Sequence, residues 1–457
     1  MKDRTLSRRA FLQATAALGL GVAGSSFLAA CAPSSGSSGS GSSGPSSEVI
    51  EIRVQNPGIP HLTKTNEWAI ERFNEENTDI QAISEVTPYN EIVKKTEVGF
   101  ASGTLQDCVY GHNKWYKFNA YRGIYAPVDE LIDSDPPDDF EDFFAQGVEG
   151  LRWEGTLYCL PDIIKPGPAN LLFYNKTILN EKGIDEPDDT WTMLDLESAA
   201  RAATDPDNGV FGFDCPWDSD LHRLACFTRA FGDPTLADKR GWPISEDGTQ
   251  FRLLEPLVAD TAQWFVNMLQ DRVMPRGGDD VEGGNFQAGI LAFEISAIGF
   301  PATYREAIGD RFEWGYMVQP PGPDGRRGTC MEGNQWMLNS KSEHIDAAWQ
   351  VLKRLTDKDS NIYGATVGKI PARRSAYLDE ALNAEIPTYA QFVPIMDEFL
   401  EPFPMVSNLR YNEVFQVYQQ EIAFIVNGEK SWDEYASTVY EKVQAVVDEA
   451  RPKQALS

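Results

Sequence analysis

Two carboxylates, Glu294 and Glu332, are the residues of this sequence that could act together as an acid and a base. Hydrolysis of a glycosidic bond needs such a pair at a defined separation, which a sequence does not show. Carboxylates beside a cleft also accept hydrogen bonds from hydroxyl groups without reacting. At this point both catalysis and binding stay open for these two residues.

Other signatures of catalysis are absent from the sequence. It has no G-x-S-x-G elbow and no H-E-x-x-H pair, and Gly368-Lys369 is followed by Ile370 instead of the Ser or Thr of a phosphate-binding loop. The four histidines are scattered along the chain: His61, His112, His222 and His344. We therefore predict no metal site, no cofactor and no enzymatic activity.

The elements that must position these residues alternate between strand and helix. Strands are predicted at 49–54, 80–86 and 107–110, with helices between them at 65–74 and 89–101. This order is typical of a parallel sheet covered by helices. Ligands bind such sheets at the carboxyl ends of the strands, so the loop at 111–116 is the first candidate binding segment.

A constrained crossing follows at 155–176. Apolar runs at 156–160 and 170–174 predict two strands, and the segment between them holds three prolines and a glycine, which exclude a helix. We interpret the crossing as a hinge between two lobes, with a ligand cleft between them.

Ordered motifs on both sides of the crossing resemble those of a known family. They are Gly103-Thr104-Leu105-Gln106-Asp107, Leu160-Pro161, Phe173-Tyr174-Asn175-Lys176, Gly183-Ile184, Thr190-Trp191, 286–296, 331–338 and 368–377. Together they are similar to motifs of the bacterial extracellular solute-binding proteins of family 1, the sugar-binding type that resembles maltose- and maltodextrin-binding proteins. Gln106 stands where that family usually has Pro, and Phe300 or Tyr304 replaces a Trp that stacks on the sugar.

The resemblance implies an α/β fold of the type II periplasmic-binding-protein kind, with two lobes of mixed sheets flanked by helices and a hinge between them. It covers about residues 48–450. We expect one lobe to contain 48–161 and about 285–332, and the other to contain 162–284 and about 333–457.

The same resemblance implies a receptor of an ABC importer. Such a receptor binds a sugar or oligosaccharide in the cleft by hinge closure and delivers it to permease subunits that separate ATPase subunits power. The partners implied are therefore a carbohydrate and the permease, and the receptor itself is expected to be a monomer.

Sugar binding requires aromatic rings against the C–H faces of the ligand and polar side chains around its hydroxyl groups. The candidate contacts are His112, Asn113, Trp115, Asp162, Trp217, Glu294, Phe300, Glu332, Asn334, Trp336, Arg410 and Tyr411. Packing in the core is the alternative for each, above all for Trp115 and Trp217.

Composition limits the choice of partner. The formal net charge of −29 and the lack of a basic run disfavour nucleic acid. Two alternatives to a sugar receptor remain: a binding protein for another small polar solute, such as a polyamine that an acidic cleft would suit, and a surface polysaccharide hydrolase.

The N-terminus carries an export pattern. Ser7-Arg8-Arg9-Ala10-Phe11-Leu12-Gln13 is a twin-arginine signal, and Leu28-Ala29-Ala30-Cys31 resembles a bacterial lipobox. Residues 1–30 would be removed, Cys31 would carry the lipid, and the Ser- and Gly-rich segment 31–47 would be a flexible tether. A buried thiol in a membrane-spanning helix is the alternative for Cys31. The expected location is extracytoplasmic, anchored to the cell membrane.

Five further cysteines follow, at positions 108, 159, 215, 226 and 330, without a C-x-x-C spacing. An odd number without that spacing argues against a zinc knuckle and a disulfide framework. Cys215 and Cys226 are the candidate pair, because export suggests an oxidising compartment.

Overall fold

The structure is a computed structural model that describes residues 49–167, 170–215, 217, 221–231, 241–245, 247–276, 278–403 and 408–449. Arg8, Arg9, Cys31 and the tether lie outside the described residues. Within the described part, no helix combines the length and the apolar character needed to cross a membrane.

The strands form two sheets. They are β1 (Ile50–Pro57), β2 (Ile80–Thr87), β3 (Cys108–His112), β4 (Leu160–Lys165), β5 (Leu171–Asn175), β6 (Phe211–Asp214), β7 (Leu291–Ser296), β8 (Trp314–Val318) and β9 (Glu332–Leu338). One sheet has five strands in the order β2-β1-β3-β9-β4, and the other has four in the order β6-β7-β5-β8. Both are mixed. In the first, β1 is parallel to β2 and β3 while β9 is antiparallel to β3 and β4. In the second, β6 is parallel to β7 while β5 is antiparallel to β7 and β8.

Helices flank both sheets. They are α1 (Pro60–Glu76), α2 (Ile92–Ser102), α3 (Asn113–Tyr121), α4 (Asp129–Ser134), α5 (Ala145–Gly150), α6 (Lys176–Lys182), α7 (Met193–Ala203), α8 (Leu221–Phe231), α9 (Pro256–Gln270), α10 (Asn285–Ala288), α11 (Phe300–Ile308), α12 (Ile345–Leu355), α13 (Lys358–Thr366), α14 (Arg374–Tyr377), α15 (Glu380–Glu385), α16 (Thr388–Phe399), α17 (Tyr411–Val426) and α18 (Trp432–Glu449). The early strand–helix alternation is confirmed. Helix α1 begins earlier than predicted, because Pro60 occupies a first-turn position that needs no N–H donor.

The crossing is built differently from the prediction. The first of its strands is β4, which begins at Leu160 and continues through Pro161 to Lys165, so the expected strand at 156–160 is wrong. Pro161 fits there because β4 is an edge strand and its pairing with β9 shifts register between Pro161 and Ile163.

The strand pairings also correct the expected division of the chain. Strands β7 and β8 lie within 285–332, which we assigned to the first lobe, but they pair with β5 in the four-stranded sheet. Strand β9, most of which we assigned to the second lobe, pairs between β3 and β4. A strand pattern indicates an extended segment but does not identify its partner strand, which long-range packing decides.

Buried apolar residues form two clusters. One surrounds the five-stranded sheet and includes Val54, Tyr110 and Trp336, while the other includes Leu172 and Phe293 of the four-stranded sheet. The first cluster also includes Leu171 and Val318 on one face of the four-stranded sheet, so it extends across both sheets. We call the part of the protein built on the five-stranded sheet the first lobe. The part built on the four-stranded sheet, together with helices α8 and α17 of the second cluster, is the second lobe. Phe173 belongs to the first cluster and its neighbour Leu172 to the second, as alternation along a strand requires.

Candidate functional site

A buried polar cluster lies where β3, β4 and β9 meet. Because β9 is antiparallel to both neighbours, its first residue comes beside the carboxyl ends of β3 and β4: His112 pairs with Asn334, and Lys165 with Glu332. The His112 Nε2 atom is 3.2 Å from Glu332 Oε1, and the Lys165 Nζ atom is 3.0 Å from Glu332 Oε2. The sheet register thus brings one carboxylate against one imidazole and one ammonium group.

Hydrogen bonds determine the tautomer of the His112 ring. Its Nδ1 atom accepts a hydrogen bond of 3.1 Å from the backbone N–H of Lys114, so the proton of the neutral ring is on Nε2 and is donated to Glu332. Burial lowers the pKa of His112 to about 4, although the hydrogen bond to Glu332 opposes this. Burial raises the pKa of Glu332, but Lys165 and His112 outweigh it and hold that pKa well below its usual range. At neutral pH the ring is neutral and the carboxylate is charged.

The Asn113 amide beside this cluster is unsatisfied. The residue opens α3 and its side chain is buried, yet neither its Oδ1 nor its Nδ2 atom has a hydrogen-bond partner among the described residues. Leaving such a group unpaired costs about 1–3 kcal/mol. This amide is therefore available to a polar group that the protein itself does not supply.

Side chains of the second lobe approach the same cluster. The Tyr411 hydroxyl on α17 is 2.5 Å from His222 Nδ1 on α8. The His222 carbonyl is 3.8 Å from the thiol of Cys330, which precedes Glu332 by two residues. In addition, the Lys114 ammonium of α3 lies 4.3 Å from the centre of the Phe415 ring of α17. The polar cluster is thus a meeting place of the two lobes.

Aromatic rings border the cluster on the first lobe. The Trp115 ring is 5.5 Å from the His112 ring and 6.0 Å from the Tyr89 ring, which it meets edge to face. Trp115 is nearly buried at 8% exposure, so its packing role is observed. Asn334 donates a hydrogen bond of 3.4 Å to the Gly111 carbonyl, which fixes its side chain against β3.

A second carboxylate, Glu294 on β7, lies beside a set of packed rings of the second lobe, which we call the aromatic surface. Its members are Phe173, Phe300, Tyr304, Trp314 and Tyr316. The Tyr304 hydroxyl lies 3.0 and 2.9 Å from the two carboxylate oxygens of Glu294, and Phe300 stacks on Tyr304 with ring centres 5.3 Å apart. Burial raises the pKa of Glu294 to about 8; the Tyr304 hydrogen bond opposes this and Asp214 adds to it. Glu294 is therefore largely protonated at neutral pH. Glu294 and Glu332 stand on different sheets, each with its own partners.

Two residues of the aromatic surface were not among the candidate contacts predicted from the sequence. The ring centres of Trp314 and Tyr316 on β8 are 6.2 and 5.8 Å from the ring centre of Phe173, and each ring plane is inclined by 34° to that of Phe173. Both are half-buried. The run 314–318 predicts a strand, and the spacing of two residues within it was the available signal, since such residues share one face.

Four of the candidate contact residues bind or pack against other side chains of the protein. Asp162 and Trp336 are fully buried, and Asp162 is hydrogen-bonded to the Lys369 ammonium at 2.6 Å, to the Trp336 Nε1 atom at 3.1 Å and to the Tyr110 hydroxyl at 3.3 Å. Trp217 stacks on Phe265 with ring centres 4.8 Å apart. Arg410 forms ion pairs with Glu413 and Glu449.

The structure thus brings His112, Asn113, Glu332 and Asn334 together with Tyr411 nearby, and it places Glu294 and Phe300 on the aromatic surface. Sequence reasoning missed Lys165 and Lys369, because a lysine is usually solvated and no local signal marks one that is paired in the interior. Within the described residues, no group of three or more His, Cys, Asp or Glu side chains is arranged to hold a metal ion.

Comparisons with known proteins agree with this architecture. A family model described as bacterial extracellular solute-binding protein matches residues 60–362. A curated binding protein of Brucella abortus is 25% identical over 353 residues, which are 74% of this chain and 81% of that relative.

Solved structures share the fold. An ABC substrate-binding protein of Listeria monocytogenes in complex with cycloalternan superposes with a TM-score of 0.74 at 17% identity, covering 89% of this chain and 100% of that one. The sugar-binding protein MalE of Xanthomonas citri gives a TM-score of 0.71 at 21% identity, with 89% and 100% covered. The fold is the two-lobed α/β fold of type II periplasmic binding proteins.

Proposed function

This chain belongs to the bacterial extracellular solute-binding proteins, and from that premise we propose that it is the sugar-binding receptor of an ABC importer. The observation that carries the proposal is the unsatisfied Asn113 amide beside the buried cluster of His112, Glu332 and Lys165, at a meeting place of the two lobes. Sugar hydroxyl groups both donate and accept hydrogen bonds, which is what an amide and a carboxylate require.

The charges at the site favour a neutral ligand over a polyamine. Glu332 already faces the Lys165 ammonium, and Glu294 is largely protonated because its pKa is raised to about 8. A polyamine needs uncompensated carboxylates, whereas a sugar needs hydrogen-bond partners and apolar ring faces. The half-buried rings of Phe300, Trp314 and Tyr316 offer such faces.

We propose that ligand binding closes the lobes about the chain crossings. The first lobe is built on the five-stranded sheet and the second on the four-stranded sheet, and the chain passes between them after β4 and again after β8. The closed form is favoured by ligand because only that form contacts it from both lobes. His112, Asn113 and Glu332 would act from the first lobe, and Tyr411 with Phe300 from the second. Sugars bound by structural neighbours, cycloalternan in the Listeria protein among them, support this assignment.

Export and anchoring belong to the same proposal. Arg8 and Arg9 would direct twin-arginine export, and a lipid on Cys31 would hold the receptor at the outer face of the cell membrane beside the permease subunits. Incorporation of a labelled fatty acid, with loss of the label in the Cys31→Ser variant, tests the anchor.

Calorimetry with a panel of sugars and with spermidine tests the ligand class. We expect one sugar to bind with a dissociation constant near micromolar, equivalent to about −8 kcal/mol, and spermidine not to bind. Chromatography of the ligand after incubation should return it unchanged. A cleaved sugar would favour a hydrolase, and saturable spermidine binding would favour a polyamine receptor.

A further inference from the structure

The structure brings together two thiols that lie far apart in the sequence. The Sγ atoms of Cys226 on α8 and Cys330 before β9 are 4.0 Å apart, and both residues are fully buried. All five described cysteines are free thiols. The pairing of Cys215 with Cys226 suggested by the sequence is therefore not formed, and Cys330 is the thiol that faces Cys226.

This thiol pair lies against the two crossings that link the strands of one sheet to those of the other. Cys330 is in the segment that links β8 to β9, and Gly167 is in the segment that links β4 to β5. A Cβ atom added to Gly167 would be 2.7 Å from Cys226 Sγ and 3.4 Å from Cys330 Sγ. The absence of a side chain at Gly167 is what lets the first crossing pass so close to the two sulfur atoms.

The same pair lies next to the polar cluster. Cys226 follows His222 by one helical turn on α8, so the two share a helix face, and Cys330 precedes Glu332 by two residues. The Cys330 thiol also points to the His222 carbonyl at 3.8 Å. A bond between the sulfur atoms would tie helix α8, which carries His222, to the segment that leads into β9 and Glu332.

We propose that Cys226 and Cys330 form a disulfide in the exported protein, tying α8 to the segment that leads into β9. Each thiol loses its proton, and the two electrons pass to the disulfide of an extracytoplasmic thiol–disulfide oxidoreductase, which becomes a dithiol. The sulfur atoms must approach by about 2 Å to reach the length of a disulfide bond. The proposal relies on the export part of the proposed function.

Burial determines when this bond can form. It raises the pKa of the Cys330 thiol well above its usual value, so the thiolate required for exchange is scarce in the folded protein. Oxidation therefore takes place while the segments around the pair are open, and the finished bond is shielded from reductants.

Peptide mapping tests the proposal. Full-length protein is taken from the extracytoplasmic fraction, unfolded, alkylated and digested without reduction, and a second sample is first refolded with oxidised and reduced glutathione. We expect a linked peptide joining Cys226 to Cys330, with Cys108, Cys159 and Cys215 alkylated in both samples. Cys215→Ser should keep the link, and Cys330→Ser should release Cys226 for alkylation.

Alkylation of both Cys226 and Cys330 in both samples would overturn the disulfide, as would a link from either of them to another cysteine. The thermal midpoint adds a second readout: reduction should lower it by about 3 °C or more in the wild type and leave Cys330→Ser unchanged. Sugar binding is measured in parallel. A missing link with intact sugar binding rejects only the disulfide, whereas a link without sugar binding rejects only the receptor.

Discussion

The first lobe holds two buried charge clusters that differ in how completely they are satisfied. Asp162 is surrounded by donors from Lys369, Trp336 and Tyr110, all of them fully buried. Glu332 is held by His112 and Lys165, but the neighbouring Asn113 amide has no partner among the described residues. A saturated cluster stabilises the sheet, whereas an incomplete one beside the other lobe is suited to bind a ligand.

Lys369→Met should have the largest effect and break the saturated cluster. It leaves the buried Asp162 carboxylate without its counter-charge, which costs about 3–5 kcal/mol. Chemical denaturation followed by circular dichroism measures the loss. The Asp162→Asn/Lys369→Met double variant should recover part of the stability, and Lys430→Met, which breaks an exposed pair with Glu434, should change it by less than about 1 kcal/mol. A Lys369→Met protein as stable as the wild type would remove the contrast between the clusters.

His112 should make the stability of the incomplete cluster depend on pH. Burial lowers its pKa to about 4 from an ordinary 6.5, with Glu332, Lys114 and His222 facing the ring. The unfolded chain therefore takes up the proton more readily than the folded one. Stability is complete above about pH 6.5 and is lost as the pH falls toward 4, by at most about 1.4 kcal/mol per pH unit from this group.

Unfolding measured between pH 4 and 7 tests this sign. His112→Gln should flatten the dependence, while His344→Gln, at an exposed position, should not. Equal slopes for the wild type and His112→Gln would show that His112 is not held neutral by burial.

Glu332→Gln should weaken ligand binding about 10- to 100-fold. It keeps the shape of the side chain but removes the charge-assisted hydrogen bonds, which are worth about 1.5–3 kcal/mol. Glu421→Gln is the matched control, because it neutralises a carboxylate paired with Lys442 on the second lobe and should leave affinity unchanged. Calorimetry with the identified sugar provides the comparison, and equal affinities for the wild type and Glu332→Gln would place the ligand elsewhere.

Asn113→Ala should have the smallest effect on affinity and the most informative one on stability. Removing an unpaired buried amide should leave the free energy of unfolding unchanged or raise it by up to about 1 kcal/mol, while sugar affinity falls about tenfold. Asn119→Ala, on the same helix, removes an amide that donates to the Tyr125 hydroxyl at 3.1 Å. That control should lose stability and keep its affinity. The opposite pattern would make Asn113 a structural residue.

The elements that sequence predicted well are those with a clear apolar period. The apolar pattern predicts helices at 221–231, 345–355 and 411–426 and a strand at 314–318, and these are the bounds of α8, α12, α17 and β8. Thr192 and Asp195 have the spacing of a capping box, which the structure confirms at the start of α7. Their signals are local. The bulge at Pro161 and the partners of β7 and β9 depend on contacts between distant segments, so local patterns did not reveal them.

The site was partly predictable for the same reason. His112 and Asn113 follow a strand of a parallel sheet, where ligands bind, and a family resemblance marked Glu332. Sequence could not show that the hydrogen bonds of Asp162 would be complete and those around Glu332 incomplete. The lysines that pair with them, Lys369 and Lys165, are far from their partners in the sequence. Whether a buried charge is satisfied is a property of the folded sheet.

A crystal structure of the protein with the sugar identified by calorimetry tests the central claim most directly. We predict an intact sugar between the lobes, with hydroxyl groups hydrogen-bonded to the Asn113 amide and the Glu332 carboxylate and one face against an aromatic ring of the second lobe. A sugar bound away from Asn113 and Glu332, or found cleaved, would contradict the account.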